Sequence, residues 1–129
     1  MITDEEAALI LQSRRAARLR FVDFCRYLFP DEPPATHHEV ICKALDKVIS
    51  GDIRRLMIFQ PPGTAKSTYS SVRFPPYYLG RFPKKNIISG SYGEGLATSF
   101  GRKVRNIVDS KEYNTLFDTT LAEDARARS

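Results

Sequence analysis

The stretch Gln60–Thr68 (QPPGTAKST), which directly follows the apolar run LMIF, constrains this chain more than any other part of the sequence. A phosphate-binding loop has the pattern G-x-x-x-x-G-K-[ST] and joins a buried strand to a helix N-terminus, where free N–H groups attract anions. The lysine and the serine of this pattern are present as Lys66 and Ser67, but Gln60 and Ala65 stand in place of its two glycines. Taken by itself, the stretch has two interpretations, a variant phosphate loop or an ordinary turn rich in proline and glycine.

Three helices are predicted before this loop. A capping box at Thr3 predicts the start of the first helix, which is expected to continue to about Arg20. Apolar side chains three to four residues apart predict a second helix through Phe21–Leu28, and the prolines of PDEPPAT end it. A second capping box at Thr36 predicts a third helix, which Gly51 ends.

Two short strands are predicted in the region of the loop. Arg54–Phe59 has an apolar run without polar alternation, which is typical of a buried parallel strand, and Asn86–Ser91 predicts a second strand. Between them a helix is expected to start at Lys66 and to be ended or kinked by the Pro-Pro pair at 75–76, with residues 77–83 as a connector. A long amphipathic helix is expected from Glu94. The β-α-β-α order predicts an α/β fold with two short parallel strands of a larger sheet.

The charge and the cysteines restrict the environment of the chain. The formal net charge is +5; residues 1–65 hold nine basic and nine acidic side chains, so the whole excess lies in residues 66–129. Such an excess suits a polyanionic partner, and a solvated charged face explains it as well. Cys25 and Cys42 lie among apolar residues without metal-ligand spacing, which favours a reduced cytosolic compartment. No apolar run approaches the length of a membrane span.

Several motifs on both sides of the loop carry a resemblance to a known family. HHEVICKALDKVISGDIRRLMI precedes two prolines and the loop, and FPPYYLGRFP, a predicted strand ending in S-Y and the helix LATSFGRKVRNIV follow it. Over about residues 20–120 the chain resembles the N-terminal ATPase region of tailed-phage terminase large subunits, the motors of viral DNA packaging. The resemblance implies an incomplete P-loop NTPase-type fold, with residues 1–51 as a helical lead-in and residues 52–129 as part of the ATPase core.

The resemblance also implies a Walker A loop that binds ATP and Mg²⁺. Its residues here are Gly63, Thr64, Ala65, Lys66, Ser67 and Thr68. By the resemblance, Lys66 contacts the phosphates and the Ser67 hydroxyl binds Mg²⁺.

Other positions allow both a functional and a structural interpretation. By the resemblance, His37 or His38 lies where the family often contacts adenine, although a residue at a helix start explains either histidine more simply. Ser91 and Tyr92 lie at a strand end that in related motors faces the nucleotide or couples it to DNA, and a turn with a packed aromatic ring is an equal alternative.

An arginine that many terminases carry inside this loop is replaced here by Pro62 or Gly63. The sequence leaves three sources for such an arginine open, namely Arg73, Arg81 and a neighbouring subunit.

The sequence contains no apolar run that ends in the acidic pair needed for ATP hydrolysis, nor the acidic cluster of the family's nuclease domain. No catalytic residue is therefore assigned. We expect the front part of a longer protein, as a fragment, a split gene or a prophage remnant. The implied partners are the remainder of the large subunit, the small subunit, the portal and double-stranded viral DNA, in the cytoplasm of the bacterial host and without a membrane.

A second hypothesis is a small basic nucleic-acid-binding protein without nucleotide chemistry. Phosphate contacts would then come from the basic side chains of the second half, namely Arg81, Lys84, Lys85, Arg102, Lys103, Arg105 and Lys111. A non-functional prophage remnant is a third alternative.

Overall fold

The computed structural model describes residues 1–119 and 121. Its regular elements are helical, and they are α1 (Asp4–Leu19), α2 (Phe21–Leu28), α3 (Thr36–Ser50), a π-helix (Thr68–Arg73), α4 (Phe74–Arg81), α5 (Glu94–Val108) and α6 (Lys111–Asn114). Within this part of the chain, none of the helices combines the length and the apolar character needed to cross a bilayer.

The helix boundaries before the loop agree with the sequence at three of four signals, and one of the three is the end of α2 at Leu28, just before PDEPPAT. The capping box at Thr3 is confirmed, because its hydroxyl accepts the Glu6 N–H at 3.2 Å and the Glu6 carboxylate accepts the Thr3 N–H at 2.8 Å. The stop at Gly51 is also confirmed, since this residue adopts a φ of +86° that favours glycine. The capping box at Thr36 was wrong: Thr36 is already helical, and Ala35 is the N-cap residue.

The helix after the loop passes through its proline pair without ending. Helical backbone begins at Lys66 and continues through the π-helix and α4 to Arg81. Of the two predicted alternatives, an end of the helix at the prolines was therefore wrong, and so was a connector over residues 77–81, whereas the π-helix is a local irregularity directly before the prolines. At the junction the Phe74 N–H donates to the Tyr69 carbonyl, five residues back. This wider turn changes the hydrogen-bond register of the helix. Pro75 and Pro76 then lie in the first turn of α4, where a missing N–H is tolerated.

The predicted α/β fold is wrong for the described residues, which form no β-strand. Arg54–Phe59 and Asn86–Ser91 are irregular, and within the described part of the chain their backbone groups make no hydrogen bond. A strand is stabilised by hydrogen bonds to a neighbouring strand, and an apolar run by itself supplies none. The P-loop NTPase-type sheet with two parallel strands is therefore not formed here.

The first of these segments packs on one side only. Leu56 and Ile58 lie against the core, whereas Met57 and Phe59 are 78% and 82% exposed. The apolar run predicts a buried strand because hydrophobicity alone does not distinguish a segment covered on both faces from one covered on a single face.

One hydrophobic core joins the residues before and after the loop. Its centre is a group of aromatic rings whose centroids lie 5.2–6.3 Å apart in seven pairs, and its members are Phe21, Phe24, Tyr77, Tyr113 and Phe117. The Tyr113 hydroxyl donates to the Pro76 carbonyl at 2.8 Å, which satisfies both buried polar groups. Helices from the two halves therefore fold as one packing unit, and the loop lies at the surface between them.

Candidate functional site

The backbone of the loop turns sharply just before its helix begins. Gly63 has a φ of +84° and Ala65 a φ of +58°, and helical backbone starts at Lys66. A left-handed conformation costs a non-glycine residue about 1–2 kcal/mol. Ala65 therefore adopts the conformation for which the usual pattern supplies glycine, at the position directly before the lysine.

A run of backbone N–H groups is left free along this turn. No hydrogen bond within the described part of the chain uses the N–H of any residue from 63 to 68. The first amide of the helix to be paired is that of Tyr69, which donates to the Ala65 carbonyl at 3.2 Å. Six consecutive free donors at a helix N-terminus create a positive electrostatic potential there.

The side chain of Thr64 stabilises the loop through contacts with other residues of the loop. Its hydroxyl lies 2.8 Å from the Pro61 carbonyl and 3.1 Å from the Gln60 side-chain oxygen. Both contacts span three or four residues, so Thr64 holds the two prolines against the turn. The glutamine in the first glycine position thus acts as a hydrogen-bond acceptor for the loop itself.

The loop is also held from outside by α3. The His38 ring lies in the first turn of that helix, and its Nε2 is 3.0 Å from the Thr64 carbonyl. The same ring stacks on Tyr69, with centroids 4.5 Å apart and planes at 24°. His37 is exposed, and its ring contacts only that of His38 among the described residues.

The side chains of the loop border an open depression of about 420 Å³, lined by residues 60–68. Ser67 is exposed, Lys66 and Thr68 are half-buried, and Lys66 forms no ion pair in the described part of the chain. The structure therefore brings Gly63, Thr64, Ala65, Lys66, Ser67 and Thr68 together at one site with a cationic group and a hydroxyl. These are groups that bind anionic oxygens.

The two arginines considered for the missing loop arginine are engaged elsewhere. Arg73 is 3% exposed; it pairs with the Glu32 carboxylate and lies 3.9 Å from the centroid of Phe29. Arg81 donates to the Arg18 carbonyl at 3.1 Å, which caps the end of α1. Both arginines therefore stabilise the packing of helices.

Ser91 and Tyr92 form the turn before α5. The Ser91 hydroxyl donates to the Gly93 carbonyl at 2.9 Å, and the Tyr92 ring is 96% exposed. No hydrogen bond or ring contact joins either residue to the loop within the described residues. The packed aromatic ring considered for Tyr92 is thus absent from this part of the chain.

Neither the acidic residues nor the cysteines form a metal site among the described residues. No group of three or more His, Cys, Asp or Glu side chains is arranged to hold a metal ion there. Cys25 and Cys42 are free and fully buried, and burial together with the neighbouring Cys42 thiol raises the pKa of Cys25. A buried thiol whose pKa is raised in this way is an inert part of the core, as the apolar sequence context of Cys25 predicts.

Comparison of the chain with protein-family models, with curated proteins and with solved structures gives no match in any of the three. The candidate site therefore rests on its own geometry.

The sequence located the loop but missed the ring that holds it. The two interpretations of His38, an adenine contact by the resemblance and a residue at a helix start, do not include a bond to the loop. The spacing of His38 to Thr64 has no local pattern because 26 residues separate them. The adjacent histidines were the available signal. The π-helix directly behind the loop left no signal except the proline pair that follows it.

Proposed function

We propose that residues 63–68 bind the phosphates of ATP together with Mg²⁺, and that the chain is the N-terminal ATP-binding segment of a phage terminase large subunit. The observation that carries the phosphate site is the run of free N–H groups around Ala65 and Lys66. The motifs on either side of the loop support the family.

The residues of the loop suit a triphosphate in charge and in hydrogen bonding. The free amides supply neutral donors, and Lys66 supplies a positive charge at the same helix N-terminus. Backbone donors followed by a lysine are the arrangement that binds β- and γ-phosphates in loops of this kind. In this assignment the Ser67 hydroxyl is a ligand of Mg²⁺, whose remaining ligands would be phosphate oxygens and water.

Binding without hydrolysis is the activity proposed for this chain. The loop contains no carboxylate, and the described residues hold no acidic cluster that could bind a metal ion. Hydrolysis of ATP requires a group that orients or activates the attacking water. We propose that the remainder of a large subunit supplies that group, with the small subunit, the portal and double-stranded viral DNA as further partners in the host cytoplasm.

Titration of the ¹⁵N-labelled chain with MgATP tests the phosphate site directly. We expect the amide signals of residues 63–68 to shift, and Lys66→Ala to weaken binding roughly 10- to 100-fold, because a charged hydrogen bond contributes about 1.5–3 kcal/mol. Lys85→Ala is the matched control, since it removes an exposed lysine of the same charge outside the loop. Unmoved loop signals at millimolar MgATP, or equal losses in the two variants, would contradict the proposal.

A second candidate function is nucleic-acid binding without a nucleotide site. What favours it is the exposure of basic side chains in the second half of the chain, namely Lys84, Lys85, Arg102, Lys103 and Lys111. Affinity for duplex DNA that falls steeply with salt and is reduced by Lys85→Ala but not by Lys66→Ala would support this function. The same two variants thus separate the two candidates.

A further inference from the structure

The ring of His38 connects two backbone groups from different parts of the chain. Its Nδ1 lies 3.0 Å from the backbone nitrogen of Ala35, and its Nε2 lies 3.0 Å from the carbonyl oxygen of Thr64. One imidazole therefore joins the start of α3 to the turn of the loop.

The two partners determine which nitrogen carries the proton. The Ala35 N–H is a donor, so Nδ1 must accept, and the Thr64 carbonyl is an acceptor, so Nε2 must donate. Both bonds are made together by the neutral ring with its proton on Nε2. Stacking against the buried Tyr69 ring fixes the plane of the imidazole between these partners.

The bond to Thr64 also determines where the next amide points. All described peptide bonds are trans, and the C=O and N–H of a trans peptide point in opposite directions. Since the Thr64 carbonyl faces His38, the Ala65 N–H faces away from it. In the same way, the bond from the Tyr69 N–H to the Ala65 carbonyl turns the Lys66 N–H outward.

We propose that His38 is a positioning residue for the phosphate site, which holds the Thr64–Ala65 peptide so that the Ala65 N–H is presented to a phosphate oxygen. The side chain acts through the backbone of the loop and does not touch the ligand. It also opposes the tendency of Ala65 to leave its left-handed conformation. The inference concerns the site described under the proposed function and rests on it for the ligand.

Two neutral substitutions of His38 test its hydrogen bond to Thr64 separately from its hydrogen bond to Ala35 at the start of α3. Glutamine at position 38 retains a donor that reaches as far as Nε2, whereas asparagine is too short to reach Thr64 but still offers an acceptor to the Ala35 N–H. His37→Asn is the matched control, because it changes the exposed neighbouring histidine in the same helical turn.

The test measures the free chain first and then its affinity for two probes, MgATP and inorganic tripolyphosphate. In the wild type we expect a pyrrole-type Nε2 with an observable Hε2 proton for His38 in ¹H–¹⁵N spectra. We expect His38→Asn to shift the amide signals of Thr64 and Ala65 and to lower the affinity for both probes roughly 2- to 10-fold. This loss corresponds to the contribution of one hydrogen bond, about 0.5–1.5 kcal/mol. His38→Gln and His37→Asn should remain within about twofold of the wild type.

Two results would overturn the inference: a proton on Nδ1 instead of Nε2, or Thr64 and Ala65 signals and probe affinities in His38→Asn that equal those of His38→Gln. If the wild type binds neither probe, the proposed function fails. The positioning of the loop is then decided by the His38 ring signal of the wild type and by the backbone amide signals of Thr64 and Ala65. A shift of these two amide signals in His38→Asn, with wild-type positions in His38→Gln, still supports it.

Discussion

The left-handed backbone of Ala65 predicts that one Ala→Gly substitution stabilises the chain while another destabilises it. At a φ of +58°, replacing alanine with glycine removes about 1–2 kcal/mol of strain. Glycine also gives the unfolded chain more conformational freedom, which offsets about 0.4–1 kcal/mol of that gain. We therefore expect Ala65→Gly to raise the free energy of unfolding by about 0.5–1 kcal/mol.

Ala8→Gly is the matched control. Ala8 is exposed within α1, where the same substitution costs about 0.8–1 kcal/mol because the residue is already helical. An unfolding entropy of about 2.1 cal/mol/K per residue makes 1 kcal/mol equivalent to about 4 °C in Tm for a chain of this length. Ala65→Gly should therefore melt about 2–4 °C above the wild type, and Ala8→Gly about 3–4 °C below it.

Thermal and urea unfolding followed by far-UV circular dichroism measures both variants, since the regular structure of the described residues is helical. The chain has no tryptophan, so the helical signal is the more direct probe. Equal destabilisation in the two variants would refute the reasoning, because it would mean that Ala65 is not left-handed in solution.

Two further predictions concern packing and charge. Gly80→Ala should destabilise the chain by about 1–3 kcal/mol, because a Cβ at this position would lie 2.5 Å from the Phe117 ring. The control Gly101→Ala in α5 places its Cβ where no atom lies within 4 Å, so it should be neutral or stabilising. Equal unfolding free energies for the two variants would contradict this packing. Burial raises the pKa of the Asp46 carboxyl above its usual 3.8, so the folded chain holds the proton more tightly than the unfolded chain does. The stability that this proton contributes is fully present below pH 3.8 and is lost as the pH rises through the native pKa. Asp46→Asn keeps an acceptor for the Phe21 N–H, and its stability relative to the wild type should therefore increase between pH 3 and pH 7 in urea unfolding; a decrease would contradict the sign.

The helices were predictable where their signals are local. The capping box at Thr3, the glycine stop at residue 51 and the apolar spacing of α5 each lie within a few residues of the boundary or face that they predict. The strands were not predictable in the same way, since Arg54–Phe59 needs a hydrogen-bonding neighbour that no local pattern reports. The π-helix was not predictable either, because it depends on the backbone geometry directly before Pro75 and Pro76.

In the candidate site, too, the features with local signals were predictable and those that depend on tertiary packing were not. Lys66 and Ser67 were identifiable from their place after a Pro/Gly turn. Ala65 was identifiable as the residue in place of the second glycine, and the structure gives it a positive φ. The bond from His38 to Thr64 was not identifiable, because it depends on how α3 packs beside the loop.

The segment between α3 and the π-helix contacts the core through the side chains of Leu56 and Ile58. Its backbone from residue 54 to residue 60 makes no hydrogen bond within the described residues, and Arg54 and Arg55 are exposed. The core, in contrast, is shared between rings that precede this segment and rings that follow it. We therefore expect a chain cut at Arg54 or Arg55 to remain a two-piece complex held by this shared core, with His38 on one piece and the loop on the other.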